Sequence, residues 1–326
     1  MRSIFITTLA LFIADIMCKS ENGFHKTEYT SHPNWRLLPS NNCGRPKSFH
    51  DSFSTRVFGG YDAQLGQYPW MAELVVVNAR DHGHACGGSI ISNKYIVTAA
   101  HCFEVPYALI VKLGELELDT NVDCTPLLTR CAPPAIYVDI ELVIIHPKYR
   151  LTGGYSRYDV ALVRCRQEIQ FNDYIKPICL PTFPIDESVL LNSTLQVAGW
   201  GVSEIDETNN FLQVLNAQFV PKVYCIALFN NALIDRHICP APYVNWCNVD
   251  INDEVICANV IRGKGTCFGD SGGPLMMQHS TSGSISTVLL GVLSYGLPDP
   301  SCASGVPDVY TSVPDVVLWI LDSIYV

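Results

Sequence analysis

Residues 89–102 read SIISNKYIVTAAHC, a short run rich in Ile and Val, interrupted by Ser, Asn and Lys and closed by a histidine. Apolar runs of this length, β-branched and bounded by turn residues, read as β-strands. The same texture recurs on both sides: WMAELVVV at 70–77, YVDIELVII at 137–145, DVALVRC at 159–165, TLQVAGW at 194–200 and TVLLGVLSYG at 287–296. Gly, Pro and Asn separate these runs, so from Val57 onward the chain reads as an all-β fold. Only the tail PDVVLWILDSIYV at 314–326 has the length and spacing of an amphipathic helix, with Pro314 suited to its first turn. There is no internal repeat and no low-complexity tract.

The 326 residues suffice for one large domain or two packed halves. Charged residues make up 16% and hydrophobic ones 48%, which excludes a disordered chain. Acidic residues outnumber basic ones 31 to 21 and no basic cluster stands out, so nucleic acid is not an expected partner. At the N-terminus, Arg2 is followed by an apolar run from Ile4 to Ala14 that is too short to span a bilayer. Cys18 and Ser20 follow at the spacing of a signal-peptidase site, so 1–20 read as a secretory signal. Residues 21–56 are polar, rich in Ser, Asn, Pro and His, and read as an exposed leader. No other stretch reads as a membrane anchor. Of the fourteen cysteines, Cys18 leaves with the signal, and the remaining thirteen should be disulfide-bonded outside the cell, with one left over. A zinc site would want CxxC pairs, which are absent; His82, His84 and Cys86 only imitate one, so no metal is expected.

Three segments carry chemistry. Thr98-Ala-Ala-His101-Cys102 closes an apolar strand, Tyr158-Asp159-Val-Ala-Leu162 opens another, and Gly269-Asp270-Ser271-Gly272-Gly273-Pro274 is a glycine-rich turn. A serine hydroxyl is a poor nucleophile unless a base lies within hydrogen-bond reach, and histidine suits that role near neutral pH. A buried carboxylate must then hold the imidazole in the right tautomer. Glycines beside the serine let the N–H groups of Gly269 and Ser271 point at a developing oxyanion.

With TAAHC, DVAL and GDSGGP in the order His, Asp, Ser, the chain resembles the chymotrypsin-like serine proteases from Val57 to its C-terminus. That order separates it from subtilisins and α/β-hydrolases, and no GxSxG elbow favours an esterase. The resemblance implies two packed six-stranded antiparallel β-barrels with a C-terminal helix, over a protease domain at 57–326. It also implies His101, Asp159 and Ser271 as catalytic triad, Gly269 and Ser271 as oxyanion hole, and Ser294 as a hydrogen-bond donor to the aspartate. Ser54-Thr-Arg56-Val57-Phe-Gly-Gly60 resembles the family's activation junction, with the new amine of Val57 pairing with Asp270. The implied function is a secreted serine endopeptidase zymogen without a cofactor. Its implied partners are protein substrates, an upstream trypsin-like protease and a serpin-type inhibitor. A catalytically silent homologue serving as a binding cofactor in a cascade is the alternative.

The same resemblance pairs Cys86 with Cys102, Cys267 with Cys302, and Cys43 with Cys179, the last tying the leader to the body. Cys124 and Cys131 lie in an insertion similar to that of insect clip-domain proteases of the Easter type, although the six-cysteine clip module is absent. Cys225 has two candidate partners, Cys239 and Cys257; we favour Cys257, with Cys239–Cys247 inside an inserted excursion and Cys165 free. Asn192-Ser-Thr is an N-glycosylation acceptor. Glu115, Glu117 and Asp119 occupy a loop where some relatives bind calcium, and a solvated acidic loop is the expectation.

Specificity departs from the commonest pattern. Gly265 stands at the base of the primary pocket, where trypsin-like relatives have aspartate, and Asp308 stands where relatives have glycine. Gly296 leaves the mouth open. Two arrangements remain: an Asp308 carboxylate that weakly attracts a cation, or one turned away from an apolar slot. Both imply relaxed or chymotrypsin-like cleavage after large apolar or aromatic residues.

Overall fold

The computed structural model describes residues 29–47, 60–77, 82–104, 108–125, 129–152, 155–201, 210–235, 254–260, 270–281, 284–297 and 305–326. The first strand, β1 (Tyr61–Asp62), is short, and longer strands follow it. These are β2 (Met71–Val77), β3 (His82–Ile90), β4 (Tyr95–Thr98), β5 (Ala108–Leu113) and β6 (Ile136–Ile145). A hairpin of β7 (Arg150–Thr152) and β8 (Tyr155–Arg157) precedes β9 (Ala161–Cys165). Strands β2-β3-β4-β9-β6-β5 close into an antiparallel barrel. Closure buries both faces of β4 and β9 along their whole length, so neither alternates between buried and exposed positions.

The second half contributes β10 (Leu195–Gly199), β11 (Gln213–Val220), β12 (Val255–Val260), β13 (Pro274–Thr281), β14 (Ser284–Tyr295) and β15 (Asp308–Ser312). They run β11-β10-β13-β14-β15-β12, and β12 pairs back onto β11 to close a second six-stranded barrel. Strand β1 adds to β11 from outside, so the segment leading into the first barrel is sewn onto the second. Trp70, just before β2 and 1% exposed, donates its indole N–H to Met276 Sδ of β13 at 3.1 Å across the interface.

Among the described residues the α-helices are α1 (Glu187–Leu191), α2 (Lys222–Asp235) and α3 (Val313–Ser323). The predicted tail helix is α3, with Pro314 in its first turn and Val313, Val316, Val317, Ile320 and Leu321 buried. It returns to the first barrel, where Arg164 donates to the Tyr325 carbonyl at 3.0 Å and Tyr95 Oη accepts the Tyr325 N–H at 3.1 Å. The α2 helix corrects the expectation of a single helix. Its inner stripe is Cys225, Phe229 and Leu233, spaced by four, but Val223 and Tyr224 are exposed on the other side. An apolar residue on each face hides the 3.6-residue period.

The leader is also not wholly exposed. Tyr29–Ser31 and Pro33–Leu37 form 3₁₀ turns against α3, with Tyr29 and Leu38 buried. Tyr29 Oη donates to the Pro314 carbonyl at 2.8 Å. Asn34 Nδ2 donates to the carbonyls of Leu321 (2.9 Å) and Ile324 (3.1 Å), groups left without helical partners at the end of α3. The leader's polar composition concealed this, because a handful of residues does the docking.

Disulfides join Cys43–Cys179, Cys86–Cys102, Cys124–Cys131 and Cys225–Cys257, while Cys165 is free and buried. The choice of Cys257 over Cys239 follows from β12 lying beside α2. Cys239–Cys247 and Cys267–Cys302, like residues 1–20, fall outside the described residues.

Candidate active site

His101 sits in a 3₁₀ turn, Ala100–Phe103, that begins two residues beyond β4 and is stapled to β3 by Cys86–Cys102. Asp159 stands just before β9, the neighbour of β4 in the barrel, with no exposure to solvent. Adjacent strand ends thus bring the two side chains together. Asp159 Oδ2 lies 2.7 Å from His101 Nδ1, and Oδ1 accepts the His101 backbone N–H at 2.9 Å. The second barrel supplies two more donors: Ser294 Oγ to Asp159 Oδ2 at 2.6 Å, and Thr311 Oγ1 to the Asp159 carbonyl at 2.8 Å. The β14–β15 register slips between Leu293 and Tyr295, and Ser294 sits at that irregularity, where a bulge re-aims a side chain.

Burial works against the His101 imidazolium. The hydrogen bond to Asp159 and the charges of Asp159 and Glu104 outweigh it, so the His101 pKa stands above its ordinary value.

Ser271 lies just before β13, where the second barrel approaches β3. Its carbonyl accepts the Gly87 N–H from β3 at 2.7 Å. Gly272 has φ +78, and a side chain there would run into Thr98 Oγ1 and the Gly87 carbonyl. The glycine therefore serves both the turn and the close approach of the barrels. Asp270 turns the other way: its Oδ1 accepts the Gly201 N–H at 2.7 Å, and its carboxylate fills the space a side chain at Gly199 would need.

Asp308 is buried on β15, and its Oδ1 lies 2.6 Å from where a Cβ on Gly296 would stand. The structure therefore brings the displaced acid onto the segment after β14 that carries Gly296. Tyr310, two residues along, has its phenol pKa pushed well up, first by burial and then by the charges of Asp308 and Asp270. Gly265, Gly269, Arg56 and Val57 lie outside the described residues.

Outside the cleft, Asn192 is exposed at the end of α1, its amide donating to the Ser188 carbonyl at 2.8 Å. The acidic loop differs from the solvated one expected. Glu115 is buried against the Lys112 ammonium, with Glu73 3.9 Å from the same nitrogen. Burial raises the Glu115 carboxyl to about 7 in spite of Lys112. Asp123 accepts the Leu116 N–H at 2.7 Å, the Glu117 N–H at 3.2 Å and the Thr120 hydroxyl at 2.6 Å, and Asp119 accepts from Asn210. These carboxylates fit calcium poorly, because Glu115 is already matched by an internal cation and Asp123 by three hydrogen-bond donors. Among the described residues, Cys86, His101 and Cys102 converge, but both sulfurs are in a disulfide and Nδ1 faces Asp159.

Sequence reasoning missed Thr311, Gly87 and Lys112. Each acts through strand pairing or a backbone group, which leaves no local motif.

The chain is 33% identical over 308 residues to Melanization protease 1 of Drosophila melanogaster, covering 91% of this chain and 72% of the relative. It is 36% identical over 296 residues to CLIP domain-containing serine protease B4 of Anopheles gambiae, covering 89% and 74%. The crystal structure of Drosophila Grass clip serine protease of the Toll pathway superposes with a TM-score of 0.69 at 30% identity, covering 89% of this chain and 77% of that one. Residues 57–320 match the family model described as Trypsin, and the chain belongs to the trypsin family, related to the insect clip-domain serine proteases.

Proposed function

We propose that the chain is a secreted serine endopeptidase zymogen that hydrolyses peptide bonds by acyl-enzyme catalysis once cut after Arg56. The observation that carries this reading is the fully buried Asp159, 2.7 Å from His101 Nδ1 and held by Ser294. An acid so placed keeps the Nδ1–H tautomer, which leaves Nε2 as the base. His101 takes the Ser271 proton as Oγ attacks the substrate carbonyl, and the N–H groups of Gly269 and Ser271 receive the oxyanion. His101 then gives the proton to the leaving amine, and water repeats the sequence to release the acid. The relatives named for melanization and the Toll pathway support a place in an extracellular cascade. The partners would be a protein substrate, an upstream trypsin-like protease and a serpin-type inhibitor.

The test is active-site labelling. After cleavage at Arg56, a fluorophosphonate should modify the parent at Ser271 and leave Ser271→Ala unmodified. A cut, folded parent that takes no label would instead identify a silent homologue acting by binding.

A further inference from the structure

Among the described residues, Tyr158 is the one non-glycine residue with positive φ, +48°. This left-handed conformation is disfavoured for any residue with a Cβ and more so for a bulky one. It falls immediately before Asp159. The Val160 N–H donates to the Tyr158 carbonyl at 2.8 Å, so Asp159 is the apex of a three-residue turn. A rotation at Tyr158 would swing the carboxylate that His101 depends on.

The Tyr158 ring is held from outside the turn. His146 lies parallel to it, with ring centres 4.6 Å apart and planes 4° from coplanar. His146 is itself buried and packs edge-on against Trp319 of α3, with centres 4.7 Å apart. Its backbone is fixed at both ends: its N–H donates to the Val160 carbonyl at 3.1 Å and its carbonyl accepts the Tyr149 N–H at 2.8 Å. Lys148 Nζ lies 5.1 Å from the centre of the Tyr158 ring, and the Lys148 N–H donates to His146 Nδ1 at 3.2 Å. Burial, with Lys148 beside it, holds the His146 pKa at about 4, so a neutral imidazole faces the phenol. The stack runs from the C-terminal helix to the turn that presents Asp159.

We propose that Tyr158 is a positioning residue: stacked on His146 and braced by Trp319, it keeps its backbone left-handed and thereby aims Asp159 at His101. The inference rests on the triad reading above, and its test separates the two. In chain cut after Arg56, kcat per titrated active site should fall at least tenfold in Tyr158→Ala and in Tyr158→Gly, with KM little changed. Tyr158→Phe, which keeps the stack, should match the parent. In parallel, the His101 Nδ1 proton signal in ¹⁵N-histidine-labelled protein should shift or broaden in the Ala and Gly variants and persist in Phe. His146→Leu removes the stack from the other side and gives the same readouts should Tyr158→Ala fail to fold. Parental kcat per site and an unmoved Nδ1 signal in Tyr158→Ala overturn the proposal. So does a parental Tyr158→Gly, because relief of the left-handed φ would then suffice. A parent without turnover sinks the protease reading, while the Nδ1 signal still decides the role of Tyr158.

Discussion

Asp159 accepts three hydrogen bonds on its carboxylate while fully buried: two from His101 and one from Ser294. Replacing it with Asn leaves the shape but puts a donor where Nδ1–H must donate. Turnover should fall on the order of 10⁴, the size established for this substitution in the family. The His101 pKa should also move. The groups that raise it are chiefly Asp159, and with that charge gone burial dominates and lowers it below the ordinary value of about 6.5. The acid limb of the kcat/KM profile should thus lie above that value in the parent and shift to lower pH in Asp159→Asn. At the pocket, Asp308 against Gly296 is the residue to test. Matched substrates ending in Phe, Leu and Arg should rank the apolar ones first, and Asp308→Gly should lower the residual Arg cleavage. A strict, trypsin-strength preference for Arg in the parent would refute the proposed specificity.

The acidic loop after β5 behaves as one unit through Lys112, which stands between Glu73 and Glu115. Removing one partner of a buried pair leaves uncompensated charge, at a cost of about 3–5 kcal/mol. Lys112→Ala should therefore lower Tm markedly at pH 8. Glu115 titrates at about 7 in the parent and should go higher without Lys112. A carboxyl raised in the folded state stabilises while it is protonated, and that contribution is lost as pH rises through the folded pKa. The Tm deficit of Lys112→Ala should accordingly shrink at pH 5.5, and calorimetry at the two pH values checks this. Millimolar calcium should leave the parental Tm unchanged. The sequence marks this loop as acidic but not as internally neutralised, because Lys112 and Glu73 meet only through the β2–β5 register.

Across the whole molecule, the leader is bound to the body by Cys43–Cys179 and docked on α3 through Tyr29 and Asn34. Cleavage after Arg56 should give two bands on a reducing gel and one on a non-reducing gel. The proposed activation requires the new Val57 amine to reach Asp270, whose carboxylate already holds the Gly201 N–H. Each charge of such a buried pair needs the other. Arg56→Ala should therefore remain inactive after addition of a trypsin-like protease that activates the parent. Full activity in uncut chain would rule this route out.

By itself, the sequence determined the all-β architecture and the tail helix, and it singled out His101, Asp159 and Ser271 as the residues proposed to carry the chemistry. Strand texture is local, and acyl transfer admits few residue types, so both leave marks a linear reading can use. Tertiary structure alone decided what holds those residues. Thr311 lies 152 positions from the carbonyl it caps, and Gly87 meets Ser271 across the barrel interface. Tyr158 combines its left-handed turn with a stack on His146, which in turn packs against Trp319. The same holds for α2, whose two apolar faces hide its period, and for the leader, whose few docking residues are lost in a polar segment. These interactions run through backbone groups, registers and packing between distant segments, and such pairings exist only once both barrels have closed.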